Sequence, residues 1–215
     1  MRKVHPLTIV AGVMLAAALA AGGAEAAPPG SSPMEVLKGT NDKIANVLKK
    51  KVATGSAEEK KQDEKIRKII NKLLDFPALT QSAMGKHWET LTKEQQKEIT
   101  DLLTELIQRN YIKQVHKRKD EKWIVNYVSE DVQDIKATVV TTIVAEERHD
   151  EETEVVYKMK KKGPKWVVTD IETDGVSLVR NYRSQFNKII EKDGVGKLIE
   201  KMQNKVKSGA EDDTL

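Results

Sequence analysis

Between residues 118 and 124 the hydrophobic period of this chain changes from 3.6 to 2, and that change limits the fold more than any other feature. Upstream, apolar residues recur at helical spacing. Val36/Leu37, Ile44, Val47/Leu48 and Val52 form one stripe, and Ile66, Ile69/Ile70 and Leu73/Leu74 a second. Ile99, Leu102/Leu103, Leu106/Ile107, Tyr111 and Val115 form a third, with Lys, Glu, Gln and Arg on the opposite side. Downstream, segments 124–128, 135–145, 154–159 and 165–173 are rich in Val, Thr, Ile, Tyr and Trp and alternate. The charged run 147–152 and Lys162-Gly163-Pro164 separate them as turns. Helices first and four closely connected strands second predict an α+β domain, its helices packed on a curved, four-stranded antiparallel sheet.

Capping signals place the helices. Ser32-Pro33-Met34-Glu35 reads as a capping box with proline at the first helical position, where a missing N–H costs nothing. The first helix should then run to about residue 51. Ser56-Ala57-Glu58-Glu59 and Thr92-Lys93-Glu94-Gln95 repeat the box, the latter opening a helix to about residue 118. Phe76-Pro77 marks a bend, because the residue before proline avoids the helical region, and a short helix over 78–88 is expected after it. Asp174-Gly175 turns the chain out of the last strand and Ser177 caps another helix. On that helix Leu178, Tyr182, Phe186 and Ile189/Ile190 share a face. Gly194-Val195-Gly196 then separates it from a short final helix carrying Leu198/Ile199, Met202 and Val206.

The first residues bear on compartment. Met1-Arg2-Lys3 is basic, 7–21 is apolar and uncharged, and Ala24-Glu25-Ala26 has the small-x-small form of a cleavage site. Together they predict a signal peptide over 1–26, one domain over 27–207, and a flexible polar tail over 208–215. No cysteine is present, so no disulfide supports the domain. Without Arg2, Lys3 and Glu25 the chain carries 35 basic against 32 acidic side chains, a net +3. That balance argues against nucleic acid as a partner, since a basic stripe with interleaved aromatics is missing.

Signatures of catalysis are sparse. There is no Cys nucleophile, no His-Glu-x-x-His, no Gly-x-Ser-x-Gly and no phosphate-cradling glycine loop. His149 sits in a charged run, His116 near a helix end that favours a basic group, and His87 beside Trp88. Asp170, Glu172 and Asp174 lie on one side of a strand, where calcium binding and a plain polar turn are both readable. The expectation is no catalytic residue, no metal and no cofactor. A filled core and a ligand cavity leave the same stripes in a sequence, so the stripes alone leave that choice open.

The block Asp174-Gly-Val-Ser-Leu-Val-Arg-Asn-Tyr-Arg-Ser-Gln-Phe186 resembles the signature of the MlaC or toluene-tolerance family of periplasmic phospholipid-binding proteins. Phe76-Pro77 with Ala83-Met84-Gly85-Lys86-His87-Trp88, Leu91-Thr92 with Glu94-Gln95-Gln96, Tyr157, Trp166 with Asp170, and Leu198-Ile199 agree in order. The resemblance spans roughly residues 34–206. It implies an NTF2-like or cystatin-like shape that encloses an apolar pocket. The implied function is a non-enzymatic phospholipid carrier that maintains outer-membrane lipid asymmetry, with phospholipid as cargo. The implied partners are an inner-membrane ABC transporter with a mammalian-cell-entry domain and an outer-membrane lipoprotein–porin complex, the chain itself being monomeric. A lysine-rich surface and the charged run 148–152 depart from the family pattern.

The residues expected to line the pocket follow from that reading. The long helix offers Leu103, Leu106, Ile107 and Tyr111. The sheet offers Val139, Ile143, Val155, Tyr157, Trp166 and Val168, and the closing helix Val179, Tyr182 and Phe186. Lys86, Arg180 and Arg183 are candidates for a head-group phosphate. Arg183 has an equal alternative reading as a tie from its helix to Asp170 or Asp174. A small enzyme using Asp170 as a buried acid, and an interaction module using the charged helices, are the competing functions.

Overall fold

The computed structural model describes residues 31–117, 121–146, 148–209 and 215, with the side chains of 148–151 outside that description. The expected signal peptide and residues 210–214 of the expected tail lie outside the described residues. Four helices come first: α1 (Pro33–Leu48), α2 (Ala57–Leu73), α3 (Phe76–Met84), which runs into a 3₁₀ turn over Gly85–Thr90, and α4 (Lys93–Lys117). Strands β1 (Trp123–Gln133), β2 (Lys136–Ala145), β3 (Arg148–Lys162), β4 (Lys165–Thr173) and β5 (Val176–Ser177) follow, and α5 (Leu178–Ser208) closes the chain. The sheet is an antiparallel meander in sequence order.

The caps form as the sequence implies. Ser32 and Glu35 exchange both bonds of a capping box, as do Thr92 and Gln95 at 3.0 and 3.2 Å. At the second helix Ser56 accepts from the Glu59 N–H, but the Glu59 carboxylate reaches one residue further back, to the Gly55 N–H at 2.6 Å.

The sheet has five strands rather than the expected four. Asp174 and Gly175 both take positive φ, 47° and 77°. That tight turn lets Val176–Ser177 pair back onto Glu172–Thr173 before the helix starts. The charged run also differs from expectation, since β3 already begins at Arg148 and pairs with Ala145 across a register shift. Strand pairing there overrides the turn preference of charged residues. The region expected to hold a short helix to residue 88 tightens after Met84, where Gly85 takes φ 52° and ends α3. The two expected C-terminal helices are present as the two spans of α5, separated where Gly194 leaves the helical region at φ 82°.

One apolar core joins the layers. Leu37 and Ile44 of α1, Ile66 and Ile70 of α2, and Leu79 and Met84 of α3 meet Ile99 and Leu103 of α4 in it. The sheet enters through a cross-strand row in register, Val139 opposite Tyr157 opposite Ile171. The α2–α3 joint is fastened to the sheet at Val168, whose carbonyl accepts the Asp75 N–H at 2.9 Å.

Asp170 connects the last long strand to α5. Its Oδ1 accepts the backbone N–H groups of Ile171 at 2.8 Å and Val179 at 3.0 Å, and its Oδ2 accepts the Ser177 hydroxyl at 2.6 Å. The Ser177 oxygen in turn accepts the Arg180 N–H at 3.0 Å. A carboxylate at a helix N-terminus also meets the positive end of the helix dipole. Asp170→Ala should therefore lower stability by about 2 kcal/mol, and Asp170→Asn by less, because an amide oxygen still accepts. Urea denaturation midpoints of the three proteins check the order.

Candidate functional site

The thirteen residues expected to line a pocket come together in the core between α4, the sheet and α5, and all are buried. Leu103, Leu106, Ile107 and Tyr111 project from one side of α4. Val139 and Ile143 of β2, Val155 and Tyr157 of β3, and Trp166 and Val168 of β4 are buried on the sheet, Trp166 beneath the Lys161 ammonium at 5.9 Å. Val179, Tyr182 and Phe186 come from the first turns of α5, the last two with ring centroids 5.7 Å apart. The same core contains residues outside the expected lining, Leu37, Ile44, Ile66 and Ile70 of the first two helices and Leu198 and Met202 beyond Gly194. Their helical spacing was visible, yet spacing alone does not say which helix faces which part of an interior.

A line of polar groups crosses this apolar interior. Tyr157 bonds to the Thr141 side chain, whose Oγ1 donates to the Val155 carbonyl at 3.2 Å. Tyr111 and Tyr127 lie close enough to influence it. The Tyr127 hydroxyl accepts from Asn41 Nδ2 at 2.6 Å, so the line reaches α1. Burial pushes the phenols of Tyr111 and Tyr157 far above the ordinary range, with a neighbouring tyrosine adding to each shift. Tyr127 is pushed up to about 12, chiefly by burial, against a lowering by Asn41. Asn41 is itself buried, and its Oδ1 has no hydrogen-bond partner. Asn41 and Thr141 carried no sequence signal, because their importance comes from a tertiary neighbour.

The candidate phosphate-binding cations are occupied by protein. Arg183 donates from Nε and Nη2 to the Ser82 carbonyl at 2.9 and 2.6 Å, its chain lying along Gly85. It thus ties α5 to the end of α3 rather than to Asp170 or Asp174. Lys86 pairs with Glu191 at 2.7 Å and holds that carboxyl below its usual range. Arg180 donates to the Gly175 carbonyl at 3.2 Å and stands 3.5 Å from Glu172.

The acids are occupied as well. Asp170 holds the Ser177 cap and the Val179 N–H as described above, and Asp174 accepts the Glu154 N–H at 3.1 Å. Among the described residues no group of three His, Asp or Glu side chains is placed to hold a metal ion. His116 bridges helices instead, with Nδ1 3.2 Å from Glu59 and Nε2 2.8 Å from Asp63. His87 is half-buried in the 3₁₀ turn, and its backbone carbonyl accepts the Thr90 hydroxyl. The side chain of His149 lies outside the described residues.

The thirteen residues thus form an uncharged, mainly aliphatic interior crossed by tyrosine hydroxyls. The profile of the family described as MlaC protein matches residues 38–204. This chain belongs to the MlaC family. Among solved structures it is similar to a phospholipid-binding protein from Ralstonia solanacearum, determined in complex with a phospholipid. The two are 25% identical with a TM-score of 0.69, over 83% of this chain and 98% of that one. No curated protein matches. Among the described residues no helix of this MlaC-family chain is long and apolar enough to cross a membrane.

The tyrosine line has a measurable consequence. A phenol with a folded-state pKa raised above its unfolded value of about 10 gives up its proton first in the unfolded chain. Stability is therefore complete below pH 10 or so and falls as pH climbs toward about 12, where Tyr127 ionises in the folded protein. Tyr127→Phe should flatten part of that fall, measured as denaturation midpoint against pH.

Proposed function

We propose that this protein is a periplasmic phospholipid carrier whose acyl chains are held in the interior between α4, the sheet and α5. The observation that carries the reading is the character of that interior: thirteen buried side chains from two helices and three strands, none of them charged. Family membership and a phospholipid-bound relative of the same fold support it. At ~0.8 kcal/mol per methylene, two acyl chains of roughly thirty methylenes represent on the order of 25 kcal/mol of gross transfer free energy. Water cannot supply that environment, and an uncharged aliphatic lining does. The lipid is carried between the outer membrane, with its lipoprotein–porin complex, and an inner-membrane ABC transporter bearing a mammalian-cell-entry domain. The signal-like start of the chain agrees with export.

The carrier needs no reactive group, and Asp170, the acid on which a catalytic reading would rest, is engaged by the Ser177 hydroxyl and the Val179 N–H at the start of α5. Lipid extraction and native mass spectrometry of the exported protein should find bound phospholipid. Repeated preparations without lipid, and no uptake from vesicles, would overturn the reading. Val139→Phe enlarges a fully buried side chain in the middle of the cross-strand row. It should reduce lipid per protein several-fold while circular dichroism is retained, whereas Ala57→Lys on the exposed first turn of α2 should leave lipid content unchanged.

A further inference from the structure

One end of the sheet carries a surface that the lipid-holding interior does not explain. Lys136 of β2, Lys158, Lys160, Lys161 and Lys162 of β3 and Lys165 of β4 gather there, all exposed except the half-buried Lys158. The register sets Lys136 directly opposite Lys160 and Lys162 opposite Lys165. Like charges facing each other across a ladder destabilise a sheet, so this arrangement is held against its own repulsion. The carboxylates at this end are fewer: Asp131 and Asp134 on the β1–β2 hairpin, Asp170 opposite Lys158, and Asp75, paired with Lys162 at 2.8 Å.

Two apolar side chains share this tip. Val132 and Ile135 are 46% and 45% exposed, half of the large exposed hydrophobics among the described residues. Ile135 is joined to the lysine strand directly, its carbonyl accepting the Lys161 N–H at 2.8 Å. Between the strands a groove of about 270 Å³ is bordered by Asp131, Lys136, Lys158, Lys160 and Thr169.

We propose that this lysine-rich tip, with Val132 and Ile135 at its apex, docks on an anionic phospholipid bilayer surface. Exposed apolar groups ringed by lysines suit the boundary between head groups and acyl chains, where lysine stems cover apolar surface and ammonium groups reach phosphate. Diffuse attraction to anionic lipid needs charge and reach rather than a fixed fork of donors. Every cation at the tip is lysine and none is arginine. Protein interfaces favour arginine and are depleted in lysine, so the composition selects a lipid surface over an acidic protein. The surface is separate from the interior and its role does not depend on the carrier reading.

The test is co-sedimentation of the exported protein with vesicles of pure phosphatidylcholine and of a phosphatidylcholine–phosphatidylglycerol mixture, at low and high salt. The wild type should sediment with the anionic vesicles only and be released by salt. Lys160→Glu with Lys161→Glu should weaken binding roughly tenfold or more, on the scale expected for losing two surface lysines. Val132→Ser with Ile135→Ser should weaken it without changing the salt dependence. The control, Lys61→Glu with Lys65→Glu on exposed positions of α2, makes the same net-charge change and should bind like the wild type. No binding of the wild type to anionic vesicles, equal loss in the control, or full binding by the Lys160/Lys161 variant would each overturn the proposal. So would a defect of that variant in binding an acidic envelope protein when the wild type ignores vesicles. Lipid extracted from each protein is read in parallel: vesicle binding by a protein that never contains lipid would sink the carrier reading and leave this one standing.

Discussion

The joint at Asp170 is the constraint on which the arrangement of this protein depends. One carboxylate within β4 accepts from two backbone N–H groups and a serine hydroxyl, and so sets the point at which strand becomes helix. The short return strand Val176–Ser177 is part of the same joint, because it holds Ser177 where its oxygen can face both Asp170 and the Arg180 N–H. From that start, helical geometry carries Val179, Tyr182 and Phe186 onto the core. Arg183, on the other side of the same turn, bonds the Ser82 carbonyl at the end of α3. The block is therefore a connector first, and its apolar side joins the core because the connector aims it.

The interior combines two demands that ordinarily conflict. Aliphatic side chains exclude water, and buried hydroxyls need partners. Tyr157 meets the second demand by bonding across the sheet to Thr141, and Tyr127 by receiving the Asn41 amide. Because these groups sit on α1, β1, β2 and β3, the polar line also couples the first helix to the sheet. A purely aliphatic interior would pack with less dependence on the relative position of those elements.

Much of this architecture was legible from local chemistry. Ser32, Ser56, Thr92 and Ser177 all serve as caps, and the period change after α4 marks the start of the sheet. The missed features arise from pairing between distant segments. The β5 strand is two residues long, too short to show a period, and exists because Asp174 and Gly175 adopt positive φ. The charged run belongs to β3, which pairs with β2 on either side of it, at Arg148 and from Thr153 onward. Lys86, Arg180 and Arg183 were recognisable as cations beside an apolar stripe. Their carboxylate and carbonyl partners lie five and eight positions away for Arg180, 105 for Lys86 and 101 for Arg183, and no spacing rule pairs them. The thirteen residues expected at the pocket are buried in the core, as their spacing implies, but that α1 and α2 share the same core with them was not legible, since every amphipathic helix shows the same stripe whichever neighbour it covers.

The break at Gly194 has a consequence for size. At 1.5 Å per residue, a straight helix as long as α5 would extend roughly 45 Å, while a domain of this length has a radius of gyration of only about 16 Å. Such a rod would overhang the body it covers. Nothing lies within 4 Å of where a Cβ would stand at Gly194, so the bend is made by the backbone itself rather than forced by crowding. By folding one long element into two shorter spans, a single residue brings Leu198 and Met202 back over the core that Tyr182 and Phe186 already cover.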